Sequence, residues 1–227
     1  MSKISIIIPT INEANNLPLL LSDISIIQKD GEIIIVDCGS KDKTIDLANI
    51  YGAKVYKSKK RNRGLQLDLG ARNAKGEWLL FLHADTRLTP DWHTKIKSVL
   101  KGDKNYIYYF KFKVNDKKKI YRVLEILVNF RSRYFKKPYG DQGLIIHRSI
   151  YYENNGFRKI PLMEDVDFFR RLKNKENLKQ LNLPIFTSSR KWERTNIFLQ
   201  ALKNWNFRRR WLKGESIKSL YSEYYKK

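Results

Sequence analysis

Short, wholly apolar runs alternate along this chain with segments whose apolar residues recur every three or four positions. Ile4-Ser5-Ile6-Ile7-Ile8, stopped by Pro9, reads as a buried strand, and Leu17, Leu20, Leu21 and Ile24 follow at helical spacing. Glu32-Ile33-Ile34-Ile35-Val36 repeats the strand, with a helix opening near Thr44 and running through Tyr51. Lys54-Val55-Tyr56 gives a short third strand and Leu65 to Ala74 a helix that Gly76 is placed to terminate. Trp78 to Leu82 is a fourth strand, apolar enough to be buried on both faces. Strands and helices alternating at this rhythm predict an α/β fold with a parallel, doubly wound sheet.

The second half is less regular. Thr89-Pro90 starts a helix carrying Trp92, Ile96, Val99 and Leu100, ended by Gly102. Tyr106 to Val114 alternates, with Tyr106, Tyr108, Phe110 and Phe112 on one side, and predicts a half-exposed strand. Over 118–135, Ile120, Leu124, Leu127 and Val128 form an apolar stripe among basic residues that include Arg131, which suits a core-facing helix or one lying on an anionic membrane. Gly140-Asp141-Gln142-Gly143 predicts a tight turn before Leu144-Ile145-Ile146, and Asp165 a helix N-cap before Val166, Phe169 and Leu172. Leu178 to Phe186 reads as a last strand broken by Pro184. A basic loop with Arg190, Trp192 and Arg194 follows, then two helical patterns, one containing Arg208-Arg209-Arg210 and the other Ile217, Leu220, Tyr221 and Tyr224.

Chemistry-bearing residues collect where the strands end. His83 and Asp85 stand two apart at the carboxyl end of the fourth strand, so their side chains point to one side and can serve one metal ion or one phosphate. Asp37 ends the second strand, and Thr10, Asn12 and Glu13 follow the first. The carboxyl edge of such sheets is where ligands bind.

Composition narrows the setting. The 227 residues fit one domain with an appendage and can bury a large core. A single cysteine, Cys38, excludes a disulfide framework and a thiolate metal site, and no signal pattern or membrane-spanning run occurs, so a cytoplasmic protein is expected. The net charge of +23 implies attraction to phosphates or anionic lipid, although lysines scattered along the whole chain suit a proteome-wide bias equally well. Among the runs of basic residues, Glu164-Asp165 and Asp167 stand out as a cluster of acids.

Taken in order, five segments resemble the family 2 glycosyltransferases: Ile6-Ile7-Ile8-Pro9-Thr10-Ile11-Asn12-Glu13, Ile35 to Thr44, Ala71-Arg72-Asn73-Ala74-Lys75-Gly76, Leu80-Phe81-Leu82-His83-Ala84-Asp85, and Glu164-Asp165. Within that family the chain looks closest to a small soluble subgroup labelled as associated with radical-SAM or arsenosugar gene clusters. The resemblance implies a GT-A fold over residues 1–190, a mixed and mostly parallel sheet flanked by helices, with a basic helical extension over 191–227. It implies a nucleotide-diphosphate sugar as donor, a divalent metal (Mn2+ or Mg2+) as cofactor, and inversion at the anomeric carbon. Asp165 corresponds to the catalytic base, with Glu164 beside it. Pro9, Thr10, Glu13, Asp37, Asp42, Arg63, Gln66, Ala84 and Asp85 correspond to the donor site, and Asp141 and Gln142 to the acceptor side. Asp85 matches the metal-binding aspartate, and His83 stands where many relatives have the first aspartate of that motif, as ligand or as a neighbouring group.

Arg190, Trp192 and Arg194 are expected to close over the diphosphate. The acceptor, whether lipid, saccharide or small metabolite, is not encoded in these motifs. Weak peripheral association with an anionic membrane is expected and specific nucleic-acid binding is not. Two other readings stay open. A nucleotidyltransferase of similar fold would carry a glycine-rich phosphate loop after the first strand, and Pro9 to Asn15 has no glycine. A basic membrane-surface or nucleic-acid binding module without catalysis would not need aspartates crowding the cleft.

Overall fold

The computed structural model describes residues 3–172, 177–189 and 197–225, without the side chain of Phe198. Arg190, Trp192 and Arg194 lie outside the described residues. The first half is the expected repeat: β1 (Ile4–Thr10), α1 (Leu17–Ile24), β2 (Gly31–Asp37), α2 (Thr44–Ile50), β3 (Lys54–Lys57), α3 (Arg63–Asn73) and β4 (Trp78–Phe81). There follow β5 (Thr86–Leu88), α4 (Trp92–Leu100), β6 (Ile107–Val114), α5 (Lys119–Tyr134), β7 (Leu144–His147), α6 (Arg148–Glu153), α7 (Glu164–Arg171), β8 (Leu178–Thr187), α8 (Ile197–Leu212) and α9 (Ile217–Tyr225).

One sheet holds all eight strands in the order β3-β2-β1-β4-β7-β6-β8-β5. The β3-β2-β1-β4 half is parallel, and β7 joins β4 antiparallel, pairing Phe81 with Leu144. Central strands are apolar in succession because both faces are covered. Ile6 and Ile8 of β1 enter one core cluster with Leu20, Trp78 and Phe110, and Ile7 enters the other with Val36, Phe81 and Phe168.

The chain departs from its sequence pattern in four places. β6 is buried on both sides, with only Lys111 exposed, because α5 covers the side that alternation left to solvent; the Tyr109 hydroxyl donates to Ser132 O at 2.9 Å. β8 is not broken at Pro184, because an irregularity in its parallel pairing with β6 takes up the missing N–H. Helix α7 is not capped by Asp165. It begins at Glu164 after Met163, whose φ of 64° is left-handed, and Asp165 falls in the first turn, where its charge suits the helix dipole.

The fourth departure concerns α5, which buries Tyr121, Glu125, Val128 and Ser132 and leaves Val123, Ile126, Leu127 and Phe130 exposed. β6 outlasts β7, and side chains of α5 take over as its neighbour. Asn129 exchanges hydrogen bonds with Phe112 N and O, both at 2.9 Å, Glu125 accepts from Val114 N at 2.8 Å, and Arg122 donates to Val114 O at 3.1 Å. Closing those backbone groups, which would otherwise be buried unpaired, outweighs turning the more apolar side inward.

Candidate active site

The loops after β1 and β2 are locked together by side chains that the strand ends place side by side. Asn12, at φ 53°, donates its N–H to Ser40 Oγ and accepts from Lys41 N, both at 2.8 Å. Asp37 is wholly buried and accepts from Thr10 Oγ1 at 3.0 Å, from Gly39 N and Ser40 N at 2.8 Å, and from the Ser40 hydroxyl. Asp42 accepts from Ala14 N and Thr44 N at 3.1 Å. Gln66, in the first turns of α3, donates its amide to Thr10 O at 3.0 Å and Val36 O at 2.8 Å. These bonds fix the carboxyl ends of β1 and β2 relative to each other.

Above this edge lies a cavity of about 230 Å³, walled by Pro9, Thr10, Ile11, Glu13, Arg61, Arg63, Gln66, His83, Ala84, Asp85 and Pro161, with Tyr221 and Tyr225 from α9. Of the donor-side expectations, Pro9, Thr10, Glu13, Arg63, Gln66, Ala84 and Asp85 meet in this one space. Asp37 and Asp42 stand outside its lining and act on it through the loops they hold.

A second cavity of about 200 Å³ shares the wall formed by Arg63 and His83. It contains Asp141 and Asp165, the apolar side chains Leu124, Val128, Leu162 and Met163, and Arg131, Tyr139, Asn204, Arg208 and Tyr224. Asp165 Oδ2 accepts from Gly140 N at 2.8 Å, and Oδ1 from Val166 N at 2.7 Å. A Cβ built on Gly140 would lie 3.0 Å from His83 Nε2 and 3.4 Å from Asp165 Oδ2, so the imidazole and the carboxylate converge over this glycine. Gln142 is wholly buried instead of facing the cavity: it accepts from Ser132 Oγ at 2.5 Å and donates to Phe110 O at 3.3 Å. Asp141 lines the cavity, and its Oδ1 is buried with no hydrogen-bond partner among the described residues.

Electrostatics separate the acids. Glu164 is 1% exposed; burial pushes its carboxyl up, as does Asp165, against the opposing pull of the Arg63 guanidinium paired with Oε1. Burial disfavours the charge on Arg63, but Glu164 and Asp165 outweigh it and keep the guanidinium firmly protonated. Glu164 thus holds Arg63 in the shared wall and lines neither open cavity. Burial, and then Arg63, push His83 down against Asp85, Asp141 and Asp165, so the imidazole is neutral at neutral pH.

The donor set can be tested against a divalent cation. Among the described residues no three histidine, cysteine, aspartate or glutamate side chains come together as a closed metal site. Asp85 and a neutral His83 on one cavity wall fit a hard cation that takes one or two protein ligands and fills its remaining positions with phosphate and water oxygens. Sequence reasoning left out Arg61, Tyr221 and Tyr225 on the first cavity and Tyr139 and Arg208 on the second. Arg61 and Arg208 stand in basic runs, Tyr221 and Tyr225 in a helical pattern and Tyr139 before a turn, but only tertiary packing brings α8 and α9 to the sheet edge, through Phe207 and Leu220 packed on Leu162 and Met163.

A family model described as Glycosyl transferase family 2 matches residues 5–164. A PGL/p-HBAD biosynthesis glycosyltransferase of Mycobacterium bovis (strain BCG / Pasteur 1173P2) is 41% identical over 91 residues, covering 37% of this chain and 36% of that protein. The match thus takes in little more than a third of that relative's length. Among solved structures, residues 1–349 of S. aureus TarS in complex with UDP-GlcNAc superpose with a TM-score of 0.65 at 20% identity, over 82% of this chain and 58% of that one. Glucosyl-3-phosphoglycerate synthase from Mycobacterium tuberculosis, in complex with Mn2+, UDP and glucosyl-3-phosphoglycerate, gives 0.59 at 19% identity, over 81% and 70%. At these identities the likeness is one of fold.

Proposed function

The chain belongs to glycosyl transferase family 2 and has the GT-A fold, and from that premise we propose that it moves a sugar from a uridine diphosphate donor to an acceptor oxygen, with inversion. The observation that carries this reading is the shared wall: Arg63 and His83 separate a cavity holding Asp85 from one holding Asp165. UDP-GlcNAc in the complex of one structural neighbour and UDP in that of the other support the nucleotide.

The nucleoside lies against Pro9, Thr10 and Glu13, under Tyr221 and Tyr225. The diphosphate faces Arg63, whose charge Glu164 fixes in place. Asp85, with His83, would hold a divalent cation, which supplies positive charge for the departing diphosphate. Asp165 takes the proton of the acceptor hydroxyl as its oxygen bonds to the anomeric carbon. The bond from that carbon to the diphosphate breaks, and the electron pair leaves with the diphosphate. Attack from the Asp165 side, opposite the leaving group, inverts the centre in one displacement. Tyr221 and Tyr225 wall the donor cavity, which supports reading α9 as part of the site.

Isothermal calorimetry tests this. UDP should bind in the presence of Mn2+ and lose at least about tenfold in affinity in chelator, as expected when a cation bridges carboxylate and phosphate. Equal binding in chelator would take the metal role away from Asp85, and preference for a nucleoside triphosphate over UDP would favour nucleotidyl transfer instead.

A further inference from the structure

Two guanidiniums meet on one ring at the mouth of the second cavity. Arg131 Cζ, from α5, lies 3.9 Å from the Tyr139 ring centroid and Arg208 Cζ, from α8, 4.8 Å from it. Arg131 gives Nε to Lys137 O at 3.1 Å and Nη2 to Gln142 Oε1 at 3.4 Å. Among the described residues neither arginine forms an ion pair, and Arg208 makes no hydrogen bond. Burial makes the charge on Arg131 costly and Arg208 adds to that cost; Asp141 and Asp165 offset part of it. Two half-buried cations that share one ring and form no ion pair among the described residues are relieved by an anion, and guanidinium forks match the oxygens of a phosphate.

The same residues open onto a groove. Arg131, Tyr139, Val166 and Arg208 wall both the second cavity and a channel of about 840 Å³ between α5, α7 and α8. Its apolar surface comes from Phe135, Phe169, Trp205 and Leu212, of which Phe135, Trp205 and Leu212 are about half exposed or more, and lysines and arginines rim it. The volume is that of a cleft for a small organic ligand, roughly 300–1,000 Å³. Large apolar side chains left open to water beside basic ones mark a surface made for an amphiphile. A saccharide would leave the apolar walls unmatched, and a small polar metabolite would leave the groove empty.

We propose that the acceptor is a single-chain amphiphile carrying a phosphate and, apart from it, a free hydroxyl, with the phosphate held by Arg131 and Arg208 at Tyr139, the apolar chain in the α5–α7–α8 groove and the accepting hydroxyl beside Asp165. The catalytic part of this rests on the glycosyl-transfer reading; the binding part does not.

The test titrates the full chain with dodecyl phosphate below its micelle concentration, beside inorganic phosphate and dodecyl maltoside, and measures UDP binding on the same samples. Dodecyl phosphate should bind at least about tenfold more tightly than either comparator, since each lacks half of the recognised chemistry. Arg208→Met should cost it about tenfold or more, the size of one charged contact, and Trp205→Ala several-fold, while UDP affinity holds. Lys113→Met, away from this groove, should change nothing. Phosphatidylcholine vesicles doped with dodecyl phosphate should pellet the wild-type chain at low salt more than undoped vesicles, as a net charge of +23 already favours, and Arg208→Met should narrow that difference more than Lys113→Met does. Dodecyl phosphate binding no better than phosphate or maltoside, or unaffected in both groove variants, overturns the proposal. Loss of UDP binding with dodecyl phosphate binding intact overturns the donor reading and leaves this one standing.

Discussion

Single residues carry the division of labour at this site, and burial decides it. Aspartates at strand ends were legible because acids stand out in a chain of net charge +23 and because a strand end fixes where a side chain can point. Which of them stays available was not legible. Asp37 spends its oxygens on Thr10, Gly39 and Ser40, and Glu164 spends one on Arg63, whereas Asp165 keeps a face on the second cavity. Their sequence surroundings do not differ in any way that foretells this; the packing of α7 against α3 does. Gly140 looked like an ordinary turn glycine, yet its missing side chain is what leaves room for both His83 and Asp165 above it. Gly140→Ala should therefore leave the circular dichroism spectrum intact and lower donor turnover by roughly 10- to 100-fold, the cost of misplacing a reacting group by a fraction of an ångström to an ångström. Turnover at the wild-type level would show that the approach is incidental.

At the scale of elements, the parallel half was readable because strands buried on both faces are continuous in apolar residues, and α5 was misread because polar anchors set its rotation. Glu32 shows how such anchors also tie strands. Its carboxylate accepts from Ser5 Oγ of β1 at 2.7 Å and from Lys75 N ahead of β4 at 2.5 Å, and pairs with Lys54 of β3 at 2.6 Å. Burial acts to raise its pKa, but the Lys54, Ser5 and Lys75 bonds outweigh it and hold the carboxyl below the usual glutamate value. A carboxylate depressed on folding stabilises fully above its unfolded pKa of about 4.3 and ceases to do so as pH falls through the lower folded value. Glu32→Gln should cost about 1–2 kcal/mol by urea unfolding at pH 7. The gap should close progressively below about pH 4, and an unchanged gap at pH 3 would mean that shape, not charge, makes the tie.

Over the whole molecule, the sheet presents one carboxyl edge on which two cavities meet. The C-terminal helices complete both: α9 walls the first cavity with Tyr221 and Tyr225, and α8 supplies Arg208 to the other. Those contributions were out of reach of the sequence because a helix pattern reveals an apolar stripe and not the surface that stripe will find. No helix among the described residues is long and apolar enough to cross a membrane, and the exposed apolar side chains of α5 and α8 lie beside lysines and arginines. Asp165, across the Arg63–His83 wall from Asp85, is the proposed base on which the transfer most depends. UDP release from the UDP-sugar that the wild-type chain turns over fastest, measured for Asp165→Asn beside UDP affinity, tests it most directly. Turnover should fall by on the order of 10²–10⁴ with UDP affinity unchanged; near wild-type turnover in Asp165→Asn would contradict it.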